Sequence, residues 1–340
     1  MKNSIKDNAN RSDDSYINLI NKVPSYDKSF KILTKIIDKN KNIRNKTNEN
    51  KNIFKFILIF FCFMSILIIL ANNLYFLKIL KDKLFHFFWP SKFLNIYICT
   101  HRDFDNKLTS PVYKILIDEK SQLKEEYNLT IIETNKDNIL YPKRLAYAEC
   151  SKIYYIWKLY KEGKLKSKYV GFTHYSRIFP FKDDIPDLDE MFKYYDVIVK
   201  SRYIFGVNIS VHYNENHIGH FLNESLDIIR EKFPEYYQPA LTFLDKKYAY
   251  FCNVFIMKNE DFIKWGEFVF GVLFELDRRN NITSDEDVKA ILINEAKEAE
   301  KSNKTFNIVF QRRIEGFLSE RIGNIFYERH FKKIYEIPTL

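Results

Sequence analysis

Two places in the 340-residue chain put a histidine beside or near an arginine directly after a β-branched apolar run. One is Thr100-His101-Arg102-Asp103; the other is His174-Tyr175-Ser176-Arg177. An arginine fork can grip a diphosphate through two parallel hydrogen bonds, and an imidazole can donate a hydrogen bond or ligate a metal. A third cluster is His212-Tyr213, His217 and His220, without a carboxylate at ligand spacing. A fourth is Gln311-Arg312-Arg313 followed by Glu320-Arg321. On a helix, Arg313, Phe317 and Glu320-Arg321 share a face, so Glu320 is a candidate general base and Arg313 a phosphate clamp. The plainer alternative there is an intrahelical ladder of ion pairs. Three Asp-x-Asp pairs occur. Asp103 and Asp105 follow the first apolar run, Asp187 and Asp189 open a helix, and Asp285 and Asp287 fall in an expected polar loop. None ends the central strand, so the need for a divalent metal such as manganese stays open.

These groups need elements to hold them. Short apolar runs predict strands over 95–100, 129–133, 168–173 and 196–199, with a stronger one over 249–257. Helical spacing predicts helices over 145–160, 188–194, 223–232, 260–276 and 311–328. Strands alternating with helices imply an α/β fold with a mainly parallel sheet, and such sheets bind ligands beyond the carboxyl ends of their strands. The chain has only 8 glycines and no glycine-rich phosphate loop. Cys99, Cys150 and Cys252 sit among apolar neighbours, without metal or disulfide spacing, and read as free thiols.

The formal net charge is +10, but residues 1–55 alone carry 13 Lys/Arg against 6 Asp/Glu. The rest is nearly balanced, which argues against nucleic acid as a partner. Residues 1–52 are polar and basic, the composition of a disordered tail. From Phe56 to Ala71 the chain runs FILIFFCFMSILIILA without a charge. Extended over 53–76, it is long enough for a transmembrane signal-anchor helix. The excess of Lys and Arg before it predicts a cytoplasmic N-terminus. Residues 77–93 then read as a stem, and 94–340 as the catalytic domain across the lipid bilayer, in the Golgi or endoplasmic reticulum lumen if the source is eukaryotic.

Five ordered stretches carry a family resemblance: NIYICTHRDF (95–104), AECSKIYYIWK (148–158), YVGFTHYSRIF (169–179), CNVFIMKNEDF (252–262) and RRIEGFLSERIGNIF (312–326). Over roughly 94–338 the chain resembles the bacterial capsular and exopolysaccharide glycosyltransferase-like family known as domain of unknown function 4422. The resemblance implies a GT-A-like, Rossmann-type fold and transfer of a sugar from a nucleotide-diphosphate donor to a glycan or polysaccharide acceptor, in the manner of a hexosyltransferase. The family's His-Tyr-Arg-Arg segment falls on His174, Tyr175, Ser176 and Arg177, with serine replacing the first arginine. Its Thr-His segment falls on Thr100 and His101, its Tyr…His pattern on Tyr213 and His217, and its Glu-Arg pair on Glu320 and Arg321. Glu149 and Asn253 match as well. The expected roles are catalysis for Glu320 and His217, and donor binding for Thr100, His101, His174, Tyr175, Arg177, Asn253, Arg313 and Arg321. Because of Ser176, the alternative is an inactive carbohydrate-binding scaffold on the same fold.

Overall fold

The computed structural model describes residues 57–65, 93–105, 107–301 and 307–338. The chain divides into two compact units, 1–81 and 82–340. In the first, 57–65 is helical and its side chains are exposed. Among the described residues no helix is long and apolar enough to cross a membrane. The rest of the expected span over 53–76, the tail 1–52 and nearly all of the stem lie outside the described residues.

The second unit is built on a seven-stranded sheet in the order β3-β2-β1-β4-β8-β5-β9. The strands are β1 (Leu94–Cys99), β2 (Tyr113–Ile117), β3 (Thr130–Glu133), β4 (Tyr169–His174), β5 (Val197–Lys200), β8 (Phe255–Lys258) and β9 (Ile334–Ile337). Only β8 runs antiparallel to its neighbours, with Phe172 of β4 opposite Phe255. A separate two-stranded ribbon pairs β6 (Tyr203–Ile204) with β7 (Tyr248–Ala249).

Both sheet faces are buried, so the strands read as continuous apolar runs. Tyr97, Cys99, Val170, Phe172, Phe255 and Met257 face one core; Leu94, Ile96, Ile98 and Ile256 face the other. That period-2 split is what the pleat requires. The larger core lies beneath α1 (Glu149–Lys161), α4 (Gly219–Lys232), α6 (Asn259–Arg279) and α8 (Ile314–His330). The thinner one is closed by α2 (Leu188–Tyr194) and by loops. The remaining helices are α3 (Ile209–Asn216), α5 (Tyr237–Leu244) and α7 (Asp285–Lys301).

Three predicted elements are broken in the structure. The strand expected over 249–257 splits into β7 and β8, because Cys252 and Asn253 take positive φ of 74° and 47°. The helix expected over 145–160 splits at Ala148 (φ 49°) into a single turn, Arg144–Tyr147, and α1. The helix expected over 311–328 splits into a turn, Ile308–Gln311, and α8, with Arg312 and Arg313 at the junction. The polar loop expected at Asp285 is instead the first turn of α7, and Asp285 accepts the backbone N–H groups of Leu145 and Ala146 at 3.1 Å. Strand β2 is an element the apolar runs did not single out.

Candidate active site

The three breaks converge. Because β8 is antiparallel, its amino end meets the carboxyl ends of β1 and β4, and the strained pair Cys252-Asn253 lands beside His174. A left-handed backbone at a non-glycine residue costs roughly 1–2 kcal/mol. Side chains of α1 and α8 hold it. The Cys252 N–H donates to Glu320 Oε1 at 2.7 Å. Asn253 Nδ2 donates to Glu149 Oε1 at 3.1 Å and to Ser319 Oγ at 3.3 Å. The kink at Ala148 packs directly on Gly316, where an added Cβ would lie 3.0 Å from the Ala148 Cβ.

Two adjoining cavities open along this edge, of about 310 Å³ and about 140 Å³. Both are walled by Ala148, Glu149, His174 and Arg313. The larger adds Thr100, His101, Asp118, Arg144, Lys152 and Arg312. The smaller adds Arg177, Cys252, Gly316, Phe317 and Glu320. Asp118 follows β2 and is neutralised by Lys152 at 2.8 Å, both side chains being largely buried. Thr100 Oγ1 donates to the Arg102 carbonyl at 2.6 Å and fixes the turn after β1.

The turn after β4 sets the state of His174. The Ser176 N–H donates to His174 Nδ1 at 3.3 Å, Ser176 Oγ lies 2.7 Å from the same nitrogen, and Arg177 donates to Ser176 Oγ at 3.2 Å. Burial, then the neighbouring Arg177, His101, Arg102 and Arg313, push the ring's pKa down to about 4. The imidazole is therefore neutral near pH 7. With Nδ1 accepting, the proton sits on Nε2. His101 is lowered too, by burial and then Arg102. Ser176 thus acts as a tautomer lock on His174.

Glu320 is the opposite case. Burial, opposed by Arg321 and reinforced by Glu149, raises its carboxyl from 4.5 to about 7. A carboxylate titrating near neutrality is suited to general-base work. Behind it, Arg321 is 2% exposed. It donates to Glu320 Oε2 at 3.1 Å and to the Phe317 carbonyl at 2.9 Å, with its guanidinium 4.3 Å from the centre of the Phe251 ring. His217 packs against Phe317, tilted, with ring centres 4.1 Å apart, and both ring nitrogens are engaged, by Gln311 at 3.3 Å and Arg321 at 3.5 Å. Burial and Arg321 push it down to about 3.

Of the residues singled out in the sequence, Thr100, His101, His174, Arg177, Arg313 and Glu320 therefore share this edge. His217, Arg321 and Asn253 wall neither cavity and act from behind. Tyr175 turns to a third cavity of about 340 Å³, on the far side of its turn, with Ser176, Lys182 and Asp105. Its ring still packs against His174 at 4.1 Å. Asp118, Arg144 and Lys152 are wall residues that were not singled out in the sequence, and Arg312 stood in the fourth cluster without a role. An aspartate ending the apolar run Tyr113–Ile117 was the available signal for the first.

The Asp-x-Asp pairs have other duties. Asp103 accepts the N–H groups of Lys124 and Glu125, Asp187 caps α2 through the Glu190 N–H, and Asp287 accepts those of Thr283 and Ser284. Among the described residues no group of three or more His, Cys, Asp or Glu is placed to hold a metal ion. The histidines of the third sequence cluster are ring-packed instead: His212 lies on Phe205 at 4.2 Å and His220 on Phe221 at 4.0 Å.

Among curated proteins nothing matches this sequence. Among solved structures, the chain is similar in fold to the apo structure of the bifunctional glycosyltransferase WbbM, with a TM-score of 0.54 and 19% identity. The likeness covers 73% of this chain but only 45% of that protein, so this chain spans less than half of its length. The family described as domain of unknown function, DUF4422, matches residues 95–295, which takes in the carboxyl ends of β1, β2 and β4 and the Cys252-Asn253 stretch and stops short of α8 and β9. The chain belongs to the DUF4422 family.

Proposed function

We propose that the protein is a glycosyltransferase that moves a sugar from a nucleotide-diphosphate donor to a glycan acceptor, on a GT-A-like sheet. One observation carries this reading: a cation-rich cavity and a smaller one containing a raised carboxyl meet at His174 and Arg313. The nucleoside end of the donor fits the larger cavity, beyond β1 and β2, where Thr100, His101 and Asp118 offer hydrogen bonds. The sugar and the acceptor hydroxyl fit the smaller, beside Glu320. As acceptor oxygen attacks, Glu320 takes its proton, and Arg321 keeps that carboxylate in place. Neutral His174 supplies an Nε2–H at the junction without a cost in protonation. The hexosyl nature of the sugar and a polysaccharide as acceptor belong to the same proposal.

The apolar stretch 53–76 supports a single-pass anchor, with the basic tail cytoplasmic and the transferase unit across the membrane, on the lumenal side of the Golgi or endoplasmic reticulum if the source is eukaryotic. The helical, exposed segment 57–65 is consistent with it.

The test is turnover of a panel of nucleotide sugars by the full chain in detergent, with Glu320→Gln beside wild type. Release of nucleoside diphosphate by wild type and its loss in Glu320→Gln, with donor binding retained, is the expected result. Full turnover by Glu320→Gln refutes the assignment of the base; no release from any donor refutes the transferase reading.

A further inference from the structure

We infer that arginine and histidine side chains, rather than a divalent cation, hold the donor's diphosphate and compensate its charge as it leaves. This rests on the nucleotide-sugar reading above and narrows it. Transferases of the GT-A type are expected to place an Asp-x-Asp at the end of the central strand, where it carries a metal. Here that strand ends in His174-Tyr175-Ser176-Arg177.

The donor set does not suit a divalent ion. Such an ion, held together with a nucleotide, needs one or two free carboxylates besides the phosphate oxygens and waters. The two cavities contain three carboxylates, and each has a protein partner. Asp118 is paired with Lys152 at 2.8 Å. Glu149 accepts from Asn253 at 3.1 Å. Glu320 accepts from the Cys252 N–H at 2.7 Å and from Arg321 at 3.1 Å. Nδ1 of His174 is taken by Ser176.

The cations are arranged the other way. Among the described residues none of Arg144, Arg177, Arg312 and Arg313 makes an ion pair, yet all four wall the cavities. Arg313 is the residue at the junction. It is exposed, and its guanidinium lies 5.1 Å from the centres of both the Phe310 and Phe317 rings. Two ring contacts hold the planar fork and leave its N–H edge for a ligand; that fork matches the spacing of phosphate oxygens. The break between the Ile308–Gln311 turn and α8 is what puts it there.

In the transfer, the bond from the anomeric carbon to the β-phosphate oxygen breaks, and its electron pair leaves with the diphosphate. The acceptor oxygen forms the new bond to that carbon, and its proton goes to Glu320. The leaving group gains one negative charge, and Arg313 stands where both cavities meet to compensate it. Every atom and charge is accounted for by donor, acceptor and protein side chains.

The experiment is calorimetric titration of the full chain in detergent with UDP, GDP and dTDP, in excess EDTA and then with manganese. The expected result is one of the three binding with a Kd that agrees within about threefold between the two buffers. In EDTA, Arg313→Ala should weaken that binding by about 10- to 100-fold and Arg313→Lys by less. Thermal midpoints equal to wild type confirm that the variants fold. Binding that needs manganese, or an Arg313→Ala variant that binds as wild type does, overturns the inference and leaves the donor reading standing. Absence of binding for all three nucleotides in both buffers overturns the two together.

Discussion

Replacing Glu320 by glutamine should change how stability depends on pH, and the size of the change follows from the site. In the folded chain the carboxyl titrates at about 7, against an ordinary value of 4.5, because its side chain is only 14% exposed. An acid whose pKa is raised by folding binds its proton more tightly in the native state. Its contribution is therefore fully favourable below the ordinary carboxyl pKa, is lost as pH rises through the interval up to about 7, and levels off above. For that shift, wild type should lose about 2–3 kcal/mol relative to Glu320→Gln between pH 5 and pH 8. The variant mimics the protonated acid, so it has no such loss. Any fixed cost of the amide, such as a poorer contact with Arg321, is the same at both ends of the range. The buried acids Glu315 and Asp277, also raised above their usual range, are present in both proteins and cancel. The assay is urea unfolding of both full-length proteins in detergent across that range. A difference in unfolding free energy that stays constant with pH would show that Glu320 is an ordinary solvated carboxylate. The case for it as a neutral-pH base would then fail.

Arg321→Met should cost about 3–5 kcal/mol of stability, since it strips a buried carboxylate of its partner. It should also move the acid limb of the pH–rate profile upward, because Arg321 holds the Glu320 pKa down; an unmoved limb would refute the pairing. Ser176→Ala removes the hydroxyl beside His174 Nδ1, so nitrogen NMR of the labelled ring should show mixed tautomers, and kcat/KM should fall about tenfold. A ring still locked with its proton on Nε2 would mean that the backbone N–H of residue 176 suffices. Gly316→Val forces a side chain against Ala148 and the Tyr147 carbonyl, and should cost about 1–3 kcal/mol and narrow the smaller cavity. Unchanged nucleotide affinity in a destabilised variant would separate that kink from binding.

Much of the sheet was readable because its strands are buried on both faces and end in polar residues. The runs ending at Thr100 and His174 located β1 and β4, and Asp187 marked the start of α2, where its carboxylate accepts the Glu190 N–H at 3.0 Å. β2 was hidden because Lys114 interrupts the run; it is tolerated there since its amine donates to Asn95 Oδ1 at 2.5 Å. The site itself was the least readable part. It is made by interruptions at Ala148, Cys252-Asn253 and Arg312-Arg313, and none of these five positions is a glycine or proline. Local propensity at Ala148, Arg312 and Arg313 favours continuing the helix, so those breaks are imposed by tertiary contacts, whereas Asn253 is a residue that tolerates a left-handed backbone.

Those contacts tie strain to chemistry. The carboxylate that holds the Cys252 N–H is Glu320, and the amide that holds Glu149 belongs to Asn253 in the same left-handed stretch. Protonating Glu320 weakens its grip on that N–H, while ionising it buries a charge beside Glu149. Neither state is free of cost, and that balance is what keeps the carboxyl near neutrality. A residue that only stabilised the kink would be better served by a neutral acceptor such as glutamine. Retaining a buried acid there makes sense if its proton has somewhere to come from, and the smaller cavity, open at His174 and Arg313, is the place where an acceptor hydroxyl could supply it.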